Sequence, residues 1–484
     1  MYQSSGSVQE EDQCCEPPST KGAAVATPNP PAIHAKQRPK VSGPPLHRYG
    51  CTASEWNDWK WQIKQRIRTL EQLALYLPNL DIQPLAHVIR KYPMAITPYY
   101  ASLIRTPDVS DPIFKMCVPQ IDELNNPACL SEDPLEENAD MPVPGLVHRY
   151  PDRALLIVTT TCASYCRHCT RKRVAGTREC LISARRLQQV MEYLTAHPEI
   201  CDVIVSGGDP LTMPTNVIDA VLSGLRSVKS VQIIRIGTRV PVVLPMRITD
   251  GLIKVLRKHH PLWINTHFNH PGELTAESAA ACAKLVDAGI PLGNQTVLLR
   301  GVNDSPAIIE QLCRGLVRMR VRPYYLYQCD LVRGVEHFRT PLARGIEIME
   351  YLRGRVSGIA IPNFVVDAPH GGGKIPVTPN YVVTISPTHT VLRNYEGLLI
   401  NYPEPGCGNS PSEEVKPEQP ACGESVEPAA PLRQHGESAG VWELASGQAS
   451  VIQPADTNRC RRRQGIMEKR KKMTKLDSSF LFDL

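Results

Sequence analysis

Residues 159–173 read TTTCASYCRHCTRKR. Cys162, Cys166 and Cys169 stand in C-x3-C-x2-C spacing directly after an apolar, β-branched run, so three thiols gather at the end of a strand. A structural zinc takes four ligands, typically as two separated pairs, and His168, between the last two cysteines, is poorly spaced to be the fourth. Three thiolates holding an iron–sulfur cube with one iron left open fit the count. Arg167, Arg171, Lys172 and Arg173 make the loop electropositive, which favours thiolates over inert packed thiols.

Outward from this loop, short apolar runs alternate with amphipathic stretches. Runs at 154–158, 203–205, 231–236, 262–266, 295–299 and 323–328 predict strands, and 216–225, 273–288 and 307–319 predict helices between them. Crossover helices bury both faces of such strands, so the pattern predicts an α/β fold, a partial (β/α)6 barrel, with chemistry at the carboxyl ends of the strands. Ahead of the barrel, Ser54 as N-cap and Trp59, Ile63, Ile67 and Leu70 at helical spacing predict a helical subdomain, with Trp56, Trp59 and Trp61 as packing anchors. The expected organisation is a disordered leader at 1–45, the helical subdomain at 46–145, the core barrel at 146–369, a lysine-bearing loop with further strands at 370–400, and a disordered tail at 401–484.

Composition narrows the function classes. The chain of 484 residues is 42% hydrophobic, yet holds 44 prolines against 6 phenylalanines, so its core is concentrated in part of its length. Residues 459–475 carry nine Lys or Arg against one acid, a local excess larger than the whole chain's net +6. Any attraction to polyanions therefore belongs to that appendage, and nucleic acid is an improbable partner for the body. Sixteen cysteines without a signal pattern fit a reducing, cytoplasmic setting, and no apolar run approaches the roughly 20 residues of a membrane span.

Two more segments carry chemistry. SGGDP at 206–210 ends the second strand in a tight glycine turn. FVVDAPHGGGKIP at 364–376 places Lys374 after three glycines, where a lysine can form a Schiff base with an aldehyde cofactor or hold a phosphate. Ile375 follows it, so the G-x4-G-K-[ST] nucleotide loop is absent.

WNDWKWQ, HRYPDR, CASYCRHCTRKR, SGGDPL, NTHFNHPGELT, LGNQTVLLRGVND, YYLYQCDLVRGVEHFRT and FVVDAPHGGGKIP, in this order over about residues 46–400, resemble the lysine 2,3-aminomutase family of radical S-adenosylmethionine (SAM) enzymes. The resemblance implies a [4Fe–4S] cluster on Cys162, Cys166 and Cys169, with SAM on the open iron. Ser206, Gly207 and Gly208 would lie beside the SAM amino group, and His267 and Gln295 would also contact SAM. Lys374 would bind pyridoxal 5′-phosphate (PLP) as an aldimine, with Arg149 and Arg153 on its phosphate. Arg171 would pair with the substrate α-carboxylate, and Asp330 and Asp367 with a distal ammonium. The implied activity is an isomerase moving the α-amino group of L-lysine to the β-carbon by a 5′-deoxyadenosyl radical, served by an electron donor such as flavodoxin or ferredoxin. The acid pair argues against a glutamate substrate but does not measure side-chain length, so an arginine 2,3-aminomutase is the alternative. A non-catalytic, nucleic-acid-associated iron–sulfur protein is the alternative of another class. Ser305 and a nearly isolated Cys407 stand where some relatives hold a structural zinc, so none is expected, and His370 replaces a loop glycine. A homo-oligomer is left open.

Overall fold

The computed structural model describes residues 50–405, apart from 177, 386–388 and 398, together with 465, 466 and 468. The expected leader, nearly all of the tail, most of the basic run and Cys407 lie outside the described residues.

Nine strands form one sheet in chain order: β1 (Leu146–Tyr150), β2 (Arg153–Ile157), β3 (Asp202–Ser206), β4 (Ile233–Gly237), β5 (Leu262–Thr266), β6 (Leu292–Leu298), β7 (Arg322–Gln328), β8 (Asn363–Ala368) and β9 (Gly373–Pro376). β2 to β8 run parallel, while β1 and β9 pair antiparallel at the two edges. The six predicted strands are β2 to β7, with small shifts at their ends. β8 lengthens the parallel run; its apolar core, Phe364 and Val365, is too short to announce a strand beside the glycines that follow. The edges meet through a side chain, since the Lys374 N–H donates to the Tyr150 hydroxyl at 2.9 Å. A separate antiparallel sheet joins β10 (Val382–Ile385), β11 (His389–Arg393) and β12 (Leu399–Pro403).

Helices Ala184–Ala196, Thr215–Ser227, Asp250–Leu256, Ala276–Asp287, Pro306–Arg318 and Leu342–Leu352 connect successive parallel strands. Each lays an apolar stripe on the sheet, with Leu222, Leu285 and Leu312 meeting Leu156, Ile234 and Ile264 in the core. The helix expected from residue 273 starts at Ala276, because Thr275 caps it by accepting from the Ser278 N–H. Among the described residues no helix is long and apolar enough to cross a membrane.

The N-terminal stretch departs from the single helical repeat its spacing suggests. Thr52, not Ser54, is the first cap and forms a capping box with Glu55. Asp58 then ends Ala53–Asn57 and caps Trp59–Lys64, Ile67 leaves helix to bridge Ile96, and Leu70–Tyr76 begins after its own cap, Thr69. Local capping by Asp and Thr side chains outweighs the apolar period. Trp56 is buried with its ring centroid 6.4 Å from that of Trp61, and the Arg247 guanidinium lies 4.4 Å from the Trp59 ring centroid.

The closing helix Leu342–Leu352 approaches β8 through Gly345, where an added Cβ would lie 2.0 Å from the Phe364 ring. Gly345→Ala is therefore expected to destabilise the protein by about 1–3 kcal/mol through overpacking. Urea denaturation checks this, and Phe364→Leu in the same chain should recover part of the loss.

Candidate active site

A cavity of about 620 Å³ opens at the carboxyl ends of the strands. Every residue to which the resemblance gives a cluster, cofactor or substrate role lines it: the three cysteines, Arg149, Arg153, Arg171, Ser206, Gly207, Gly208, His267, Gln295, Asp330, Asp367 and Lys374.

The cysteine loop is fixed from beneath. Arg167, between Cys166 and Cys169, is fully buried; its Nε donates to Glu123 Oε1 at 2.9 Å, and its remaining arms reach the Pro93 and Tyr92 carbonyls. Lys172 donates to the same carboxylate at 2.6 Å and to the Gly334 carbonyl at 2.7 Å. On the other side, Arg66 donates to the Cys162 carbonyl at 2.6 Å while paired with Glu179. The basic residues of the motif are thus partly structural, and only Arg171 reaches the chamber as expected. All three thiols are free. Burial, aided by the neighbouring thiols, raises Cys162 far above the ordinary range and Cys169 to about 11, so the expectation that the basic residues favour thiolates is not met here: Arg167 and Lys172 are spent on Glu123. Among the described residues no three His, Cys, Asp or Glu side chains converge on a single ion. A cube needs no such convergence, because each cysteine binds its own iron.

The glycine turn after β3 is demanded first by packing. A Cβ on Gly207, at φ +144, would lie 2.3 Å from the Thr159 carbonyl oxygen, and one on Gly208 would lie 2.4 Å from that of Thr161. Only glycine lets this turn lie against the start of the cysteine loop. Asp209 accepts from the Thr238 hydroxyl at 2.6 Å and the Arg239 N–H at 2.7 Å, and burial pushes its carboxyl up to about 6.

His267 Nδ1 faces the Gln295 carbonyl at 3.2 Å. A carbonyl only accepts, so Nδ1 carries the proton. Burial, reinforced by Arg239, pulls this imidazole down to about 4; the ring is neutral with Nε2 as acceptor. Gln295 Nε2 donates to the Tyr327 hydroxyl at 3.0 Å.

On the opposite wall, β8 and β9 set Asp367 directly across from Lys374. The ammonium lies 2.7 and 2.9 Å from the two carboxylate oxygens and 4.9 Å from the centroid of the Tyr327 ring. Asp330 accepts from the Thr170 hydroxyl at 2.5 Å; burial, then the nearby Asp367 charge, pushes it up to about 7. Arg171 forks onto Glu137 at 2.6–3.0 Å, with its third nitrogen 3.4 Å from Ser206 Oγ. Burial alone would raise the Glu137 carboxyl, but Arg171 outweighs it and holds it at about 2. Arg149 pairs with Asp140 at 2.9 Å, and Arg153 pairs with Asp152 while its guanidinium covers the Tyr150 ring at 3.9 Å. His370, left-handed at φ 56, pairs with Glu136 at 2.8 Å. Sequence reading missed Glu123, Glu137, Asp140 and Arg239; their partners lie in other loops, and no local pattern marks them.

A parallel barrel with a three-cysteine loop at its carboxyl rim defines a radical SAM enzyme, and residues 156–312 match the Radical SAM superfamily. Residues 349–479 match a family described as Lysine-2,3-aminomutase. The L-lysine 2,3-aminomutase of Clostridium subterminale is 52% identical over 354 residues, covering 73% of this chain and 85% of that one. That of Bacillus subtilis is 48% identical, covering 72% and 75%. The glutamate 2,3-aminomutase of Clostridioides difficile is 42% identical, covering 72% and 83%. The chain belongs to the lysine 2,3-aminomutase family, isomerases whose radical SAM core implies a [4Fe–4S] cluster and SAM.

Glu123→Ala leaves Arg167 and Lys172 buried without a counter-charge and is expected to cost about 3–5 kcal/mol, together with much of the iron retained after reconstitution. Chemical denaturation and iron analysis check it. Glu199→Gln, in an exposed pair with His197, should change stability by less than about 0.5 kcal/mol.

Proposed function

We propose that this protein is an L-lysine 2,3-aminomutase that carries PLP on Lys374. The observation that supports the substrate is the acid pair facing a cation: Asp367 already holds an ammonium, that of Lys374, while Asp330 beside it is held near neutrality. Burial and the Asp367 charge push the Asp330 carboxyl up, and a positive charge placed between the two acids relieves that cost.

The residues present suit the cofactors. Lys374 offers an amine in the chamber, Arg149 and Arg153 offer guanidinium groups for a phosphate, and the three thiols share one loop. When bound, the cluster and SAM supply a carbon radical, and PLP supplies an aldehyde and a π-system for a 1,2-shift.

The chain's own work is placement. Asp367 holds the Lys374 Nζ in the chamber, and a proton of that ammonium must leave to solvent before the amine can react. Once that amine is engaged, the two aspartates lose their cation, and the distal ammonium of a lysine substrate restores the balance. Arg171, preorganised by Glu137, keeps one nitrogen toward Ser206 and the chamber for the substrate carboxylate. Tyr324, Tyr325 and Tyr327 wall the chamber with aromatic surface that limits water beside the reacting carbons.

The test is anaerobic turnover of protein reconstituted with iron, sulfide, PLP, SAM and dithionite, offered L-lysine, L-arginine and L-glutamate separately. β-Lysine from lysine is expected. Product from arginine alone replaces the substrate, and a preference for glutamate contradicts the reading of the acid pair. Borohydride should fix the cofactor on Lys374, visible by peptide mass, and Lys374→Ala should lose that label.

Cation binding needs Asp330 ionised, and burial beside Asp367 pushes its carboxyl up to about 7. KM for lysine is therefore expected to fall as pH rises through 7, and Asp330→Asn to flatten that profile while raising KM at least about 30-fold, the lower end of what loss of one member of a buried charge pair costs.

A further inference from the structure

Arg239, just past β4, was not marked by any motif, yet it reaches the cluster loop. Its guanidinium is buried and held on nearly every side: Nε donates to the His267 carbonyl at 3.2 Å, and Nη2 donates to Glu273 at 2.7 Å and to the Tyr100 hydroxyl at 2.8 Å. Its backbone N–H is fixed on Asp209. The remaining arm, Nη1, points at Cys166 Sγ, 2.8 Å away. That sulfur belongs to the middle cysteine of the triad, and the thiol stands where an iron-bound thiolate would be.

Such a contact is more than packing. Glu273 neutralises the net charge of the guanidinium, so the directed N–H toward sulfur is what acts on the loop. Arginine does not deprotonate in proteins, so this donor persists at every working pH. Hydrogen bonds to cluster sulfurs are among the determinants of iron–sulfur reduction potentials, since they stabilise the more negative, reduced state more than the oxidised one.

We infer that Arg239 is a positioning residue that donates a hydrogen bond to the Cys166 sulfur in the cluster-bearing enzyme and raises the cluster's reduction potential. The electron comes from a low-potential one-electron donor, dithionite in the test, and enters the cluster without a proton. This rests on the family's cluster and not on the choice of amino-acid substrate.

Two measurements test it without turnover. The first uses unaltered reconstituted protein grown with guanidino-¹⁵N arginine, reduced with dithionite in the absence of substrate. Pulsed electron paramagnetic resonance should show a ¹⁵N coupling to the reduced cluster, and its absence overturns the inference. The second is a redox titration of Arg239→Lys, which keeps the charge opposite Glu273, and of Arg239→Gln combined with Glu273→Gln, which removes both charges. At the potential where the parent cluster is half reduced, the reduced-to-oxidised ratio should fall about tenfold, a shift of about 59 mV for one electron. Variants that hold a full cluster at the parent potential overturn the inference. Should neither variant retain a cluster, the ¹⁵N result on the parent protein decides.

Discussion

One carboxylate without exposed surface, Glu123, receives both Arg167 and Lys172 from the cysteine loop. Removing three charges from water is expensive, and the return depends on every remaining donor being satisfied. Here the surplus donors end on the carbonyls of Tyr92, Pro93 and Gly334, so the loop is tied to three other segments of chain. A loop that must present three thiols into a cavity has few apolar residues with which to pack. Ionic anchoring beneath it supplies the rigidity that a hydrophobic core gives elsewhere.

The same logic extends around the chamber. The segment containing Glu136, Glu137 and Asp140 pairs with His370 of the lysine loop, with Arg171 and Arg173 of the cysteine loop, and with Arg149 of β1. The cations that anionic groups of substrate and cofactor would meet are thus already oriented by protein acids. Such preorganisation lowers the ordering cost when ligands enter. Across the chamber the signs reverse: Asp367 and Asp330 face the ammonium of Lys374. An amino acid with a cationic side chain matches this polarity from end to end.

Much of this was legible in the sequence because it is written locally. C-x3-C-x2-C spacing, a β-branched run and a glycine turn are short-range patterns, and they located the strands and the cysteine loop, whereas Arg149, Arg153, Arg171, Asp330 and Asp367 came into view only through the family resemblance. The rest depends on distant partners. Glu123, Glu137 and Arg239 act through residues far along the chain, so their roles appear only once the barrel brings them together. Gly207 and Gly208 were noticed for a ligand, whereas backbone contact with the preceding strand end already requires them. At the N-terminus, Thr52 and Asp58 broke an apolar repeat that read as continuous.

An anaerobic crystal structure of the reconstituted protein with L-lysine shows whether the chamber takes an amino acid with a cation at its far end. The ε-ammonium is expected within hydrogen-bonding distance of Asp330 and Asp367, about 2.7–3.2 Å, with the α-carboxylate on Arg171. A lysine bound with its ammonium away from both aspartates, or its carboxylate away from Arg171, would contradict that expectation.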